Sequence, residues 1–147
     1  MYRIVLAFHV VICSTIVVGC SGPKSNRPET VPVSGIATLK GQPIEGATVM
    51  FFPKVLPGNG AGALTDASGK FRLSTFEAAD GVVPGSYLVT VMKTRIEKNP
   101  KAKSDPNEPP EVHVNLLPER YTSPQKSGFT AEVKKGEKNE FTFDLKD

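Results

Sequence analysis

Tryptophan is absent from this chain, and cysteine and histidine occur only twice each. The histidines, His9 and His113, and the cysteines, Cys13 and Cys20, are too few and too scattered to build a transition-metal site from imidazole and thiolate donors. No metal and no cofactor is therefore expected. No His-x-x-Glu pattern occurs, which removes the usual zinc-peptidase signature. Dominance of one charge is missing too: 18 basic residues stand against 15 acidic ones, for a net charge of +3. Nucleic-acid binders concentrate basic residues in a patch or stripe, so no nucleic-acid partner is expected. A modest lysine cluster at 98–103 is more often a solvated loop than a contact to acidic polymers or headgroups. What is plentiful is Gly (13) and Pro (13). They imply many turns and few long helices. The length of 147 residues suits one domain with accessories.

Both cysteines lie near the start. Residues 1–19 read MYRIVLAFHVVICSTIVVG, with Arg3 ahead of an apolar run from Ile4 to Gly19. That run falls short of the ~20 residues of a membrane span. A basic start, an apolar middle and a small residue before the cut fit a secretory signal peptide, in which His9 is a tolerated neutral imidazole. Cleavage before Cys20 would discard Cys13 and leave Cys20 with no intramolecular disulfide partner. A catalytic thiol needs a nearby base, and only His113 would remain. An attachment point for lipid and an unmodified thiol behind an uncleaved anchor are the readings left. Val17-Val18-Gly19-Cys20 resembles a bacterial lipobox, with Val17 where Leu is commoner. The resemblance implies diacylglycerol on the Cys20 thiol, cleavage before it, and acylation of the new N-terminus with palmitate-type chains. Two or three acyl chains hold a protein firmly where one does not. Residues 20–30 after the cut contain SGPKSNRPET, with no large apolar side chain, and are expected to be a flexible tether.

From Val31 the apolar residues recur with a period near two, the mark of half-buried strands. Strands are expected over 31–40, 47–53, 63–66, 70–75, 86–93, 127–136 and 138–147, the last two as a pair. The inward faces are Ala47, Val49 and Phe51; Phe71 and Leu73; Tyr87, Val89 and Val91; Phe129, Ala131 and Val133; and Phe141, Phe143 and Leu145. Asp66 is placed to bond the amides of a turn at Ala67-Ser68-Gly69, where Gly69 takes positive φ. Segment 94–126, with Pro100, Pro106, Pro109 and Pro110, is expected to be a mobile loop. Within it, Leu116, Leu117 and Tyr121 of NLLPERY are candidates to pack on an edge. Seven short strands without an amphipathic helix predict two antiparallel sheets packed face to face over 31–147.

The stretches VSGIATLKGQPIEGATVMFFP, TDASGKFRLSTF and VPGSYLVTVMK, closed by NEFTFDL, are similar to carboxypeptidase regulatory-like and transthyretin-like domains. The resemblance covers about residues 33–147. It implies an all-β, seven-stranded antiparallel Greek-key sandwich. In layout, including the lipobox, the chain resembles small envelope lipoproteins of planctomycete type. The shared motifs are turn and strand signals, so they identify a scaffold rather than an activity. A transthyretin-like enzyme acting on hydroxyisourate would need several His and Arg residues and a Tyr-Arg-Gly-Ser ending, which do not occur here. Asp66-Ala67-Ser68-Gly69 offers calcium only one carboxylate. A Lys40–Asp144 isopeptide bond would require a buried pair, and alternation puts both at strand ends or facing out.

The expectation is therefore a non-enzymatic protein, exported and lipid-anchored through Cys20 to the cell-envelope membrane. Its role would be binding, adhesion or structure, with an envelope protein or glycan held by loops 54–62 and 94–126. The alternative is a carbohydrate- or peptide-binding accessory subunit of a transport or degradation system, using exposed aromatics among Phe52, Phe76 and Tyr121.

Overall fold

The computed structural model describes residues 26–103 and 107–147. The expectations for residues 1–19 and for Cys20 lie outside this range. The chain is all-β. Its strands are β1 (Val33–Leu39), β2 (Gln42–Pro43), β3 (Thr48–Pro53), β4 (Ala61–Leu64), β5 (Lys70–Arg72), β6 (Gly85–Met92), β7 (Thr94–Lys98), β8 (Glu111–Asn115), β9 (Phe129–Val133) and β10 (Asn139–Leu145). Two 3₁₀ turns, Pro100–Lys103 and Glu119–Thr122, are the only helical elements among the described residues, and none is long and apolar enough to cross a membrane.

Two four-stranded sheets share one core. In the first, β10 and β2 flank β1, which also pairs β5; the second runs β4-β3-β6-β9. The expected inward residues of β3, β5, β6, β9 and β10 all join this core, with Phe129 and Phe141 half-buried at its margin. Phe143 sits at its centre, with ring centroids 5.1 Å from Phe129, 6.0 Å from Phe71 and 6.1 Å from Phe51. Contacts from Phe51 on one sheet to Phe141 and Phe143 on the other tie the layers together.

The expectation of a purely antiparallel arrangement is corrected at β1, which pairs β10 in parallel, Gly35 beside Phe141 and Ala37 beside Phe143. Small residues on β1 make room there for the rings of its neighbours. A methyl group on Gly35 would lie 2.2 Å from the Phe141 carbonyl oxygen and 2.5 Å from Phe71 Cζ. The expected last pair is also corrected: β9 pairs β6, while β10 joins the other sheet. The tight turn between them carries the chain across the core, so both strands still bury one apolar face. Asn139 closes that turn, bonding the Lys134 amide and the Lys134 and Glu137 carbonyls.

A second crossing occurs at the Asp66 turn. Its chemistry is as expected: Asp66 Oδ1 accepts from the amides of Ser68 (2.8 Å) and Lys70 (3.0 Å), and Gly69 has φ +73°. The flanking strands β4 and β5 then part into different sheets, linked by the bridge Gly62–Ser74.

Segment 94–126 is not an irregular loop throughout. It contains an antiparallel hairpin, β7–β8, that forms a sheet of its own. The buried Asn99 organises its tip, bonding the Pro109 carbonyl, the Glu108 carboxylate and the Lys101 amide. After the hairpin, Leu117 and Tyr121 are buried, whereas Leu116 faces out. Tyr121 closes the seam between the edges of β9 and β10. Its ring stacks on Phe129 at 5.2 Å, and its hydroxyl accepts from the Lys146 amide and donates to the Lys146 carbonyl.

Candidate functional site

A concavity of about 770 Å³ lies on the outer face of β5-β1-β10. Alternation along these strands places Ser34, Ile36, Lys70, Arg72, Glu140 and Thr142 along it. The register sets Ser34 between Arg72 and Glu140, and Ile36 between Lys70 and Thr142. Two cations thus flank one side of a mixed floor and a carboxylate the other. The hydroxyls of Ser34 and Thr142 line the same floor.

The carboxyls displaced from their ordinary range have structural partners. Asp66 is held below it mainly by the Lys70 amide, aided by Ser68. Burial pushes Asp80 up, but the amides of Thr75, Phe76 and Glu77 outweigh it and the net direction is down. Asp144 is lowered by the Thr38 hydroxyl and then the Gly41 amide, at 2.7 and 3.0 Å. Burial raises the Tyr87 phenol, whose hydroxyl donates to the Val83 carbonyl. Each is a turn or strand-end fastening.

The other candidates from the sequence do not converge. Lys40 pairs with Asp147 at the surface rather than with Asp144. His113 is exposed on the β7–β8 hairpin, opposite Ile96. Of the three aromatics, Phe52 faces solvent, Phe76 lies beneath the Arg27 guanidinium at 5.4 Å, and Tyr121 is buried. They form no common platform. Among the described residues no cluster of three or more His, Cys, Asp or Glu side chains is arranged to hold a metal ion.

The expected binding loop 54–62 is the tip between β3 and β4, and sequence reasoning passed over its apolar pair. Val55 and Leu56 there are consecutive, apolar and uncovered. Their signal was available: two large aliphatic residues inside a Gly/Pro-rich loop, where polar residues are the norm.

No family model matches the sequence, and no curated protein matches it significantly. Among solved structures, a 9R-lipoxygenase from Cyanothece PCC8801 is similar over 83% of this chain, at 11% identity and a TM-score of 0.40. The chain spans only 17% of the length of that protein.

Proposed function

We propose that this is a non-enzymatic, lipid-anchored envelope protein that works as a binding, adhesion or structural module. Its domain is read as a seven-stranded Greek-key sandwich of the transthyretin-like and carboxypeptidase regulatory-like kind, with β2, β7 and β8 as additions. Cys20 is the anchor, residues 1–19 the leader, and residues 20–30 the leash.

The observation that carries the non-enzymatic reading is the use made of the perturbed acids. Catalytic groups are typically found as displaced titratable side chains aimed into a cleft. Here Asp66, Asp80 and Asp144 spend their lone pairs on backbone amides and one threonine hydroxyl. The outer groove supports binding, and its charges of both signs around Ile36 favour an extended peptide over a sugar. A sugar-binding accessory subunit is less favoured, because the exposed aromatic faces it would need are dispersed.

The anchoring claim is tested by detergent-phase partitioning of the parent and of Cys20→Ala. The parent should enter the detergent phase and the variant should not. Equal partitioning of both overturns the anchor. The groove is tested by Arg72→Glu, which should abolish partner capture from solubilised envelopes with the melting temperature unchanged. Undiminished capture removes the groove from the account.

A further inference from the structure

Both sheets present the same end to residues 26–31, where the described chain begins. Val31 exchanges two backbone hydrogen bonds with Val82, each 2.9 Å, and Glu29 pairs with Lys135 at 2.6 Å. Val31 lies just ahead of β1 and Val82 just ahead of β6, so this end carries the beginnings of β1 and β6. It also carries the β9–β10 turn and the β3–β4 tip, since Pro53 pairs Tyr87 and Gly85 pairs Val133.

On that tip, Val55 is 76% exposed and Leu56 79%. The tip is nonetheless held. The Lys54 amide donates to the Ser86 carbonyl at 2.9 Å, and a methyl group on Gly58 would meet Pro53 Cβ and the Val55 carbonyl oxygen at 2.7 Å. A tip so tightly folded presents its apolar pair without a large ordering cost on binding.

We infer that this end is a membrane-contacting face, with Val55 and Leu56 entering the headgroup–acyl boundary of the bilayer that anchors the chain. The inference rests on the anchoring reading above. Six peptide steps separate Cys20 from Asn26, a reach of at most about 20 Å. A strand the length of β6 spans roughly 27 Å. While Arg27 and Glu29 keep their pairing with Glu77 and Lys135, the leash leaves from this end and holds it nearer the bilayer than the opposite one. At this end, Lys135, Lys134, Lys138 and Arg27 are paired with Glu29, Glu137, Glu140 and Glu77. Their charges largely cancel locally, so the contact is apolar and indifferent to anionic headgroups. Lys54, beside the apolar pair, has a long stem that lets its ammonium stay in the headgroup layer.

The absence of tryptophan allows a direct test. Leu56→Trp gives a single fluorophore at the tip. Leu64→Trp gives one at a residue 69% exposed near the far end, where Thr48 pairs both Leu64 and Met92. Each full-chain variant is purified from membranes and reconstituted into phosphatidylcholine vesicles with and without brominated acyl chains. The tip tryptophan should emit to the blue and be quenched about twofold, and the far one should be unaffected. Replacing part of the phosphatidylcholine with phosphatidylglycerol should change neither.

Absent quenching at the tip, or equal quenching at both positions, overturns the proposal. So does a blue shift that follows protein concentration without lipid, which would assign the tip to a second copy. Intact mass of the same sample separates the two readings. Acyl mass with an unquenched tip defeats the contact face alone. Quenching without acyl mass defeats the Cys20 anchor alone, and failure to associate with vesicles defeats both.

Discussion

The body of the domain and the β7–β8 arm are both built from paired strands, yet they are stabilised differently. In the body each strand buries one face, and the rings of Phe51, Phe71, Phe129, Phe141 and Phe143 interlock between the sheets. In the arm no residue of either strand is buried, and Ile96 is 58% exposed. A lone two-stranded ribbon is marginal in water. This one is fastened at its ends, by Asn99 at the tip and by the Leu116 amide on the Lys93 carbonyl at the base. Backbone pairing alone therefore does not decide stability; burial of a side-chain face does.

The largest expected effect that sharpens this contrast is at Phe143. Phe143→Ala should cost about 3–5 kcal/mol, because it removes the ring on which four others converge. Denaturant unfolding measures it, and an unchanged midpoint would break the assignment of the core. Gly35→Ala should cost about 1–3 kcal/mol, since the new methyl group meets a backbone oxygen that cannot swing aside. Asn99→Ala should act only on the arm. Amides of β7 and β8 should exchange faster by an amount equivalent to about 1–3 kcal/mol, the cost of orphaning buried polar groups. The global melting temperature should stay within a degree or so of the parent. A large global loss would show the arm to be part of the cooperative unit. Ile96→Ala should be smallest, within about 0.5 kcal/mol.

Acid probes the body's fastenings. Asp66, Asp80 and Asp144 have folded pKa values below their ordinary 3.8. Near and below that value the unfolded chain binds more protons than the folded one, so stability falls as pH falls. The contribution is complete well above pH 3.8 and is lost as pH drops through the lower, folded values. Melting temperature against pH should decline in that acid window, and less steeply for Asp80→Asn. Identical slopes would contradict the capping role.

Much of the body was legible because its signals are local. Period-two alternation in Tyr87-Val89-Val91 or Phe141-Phe143-Leu145 names the inward face without knowledge of the partner strand. The Asp66–Gly69 turn is equally self-contained. The parallel pairing of β1 with β10 was not legible, because it joins segments about a hundred residues apart and depends on Gly35 and Ala37 admitting large neighbours. The two sheet-switching turns look like ordinary hairpin turns, since their local chemistry is the same whichever sheet the next strand joins. The arm escaped notice because TRIEK and EVHVN bury no face, which leaves alternation nothing to report. Tyr121 read both as an edge-packing residue and as an exposed aromatic; the first holds, and its hydroxyl's partner, Lys146, was hidden because it comes from the far end of the chain.

Of the site, the groove was invisible in sequence, since Arg72, Ser34 and Glu140 meet only through pairing of three strands. The reading of Cys20 as the anchor rests on the local pattern Val17-Val18-Gly19-Cys20 and is the centre of the functional account. Intact-mass analysis of the protein extracted from membranes of producing cells tests it most directly. The account predicts a chain beginning at Cys20 and carrying the added mass of its acyl groups. A chain that retains residues 1–19 and carries no acyl mass would contradict it.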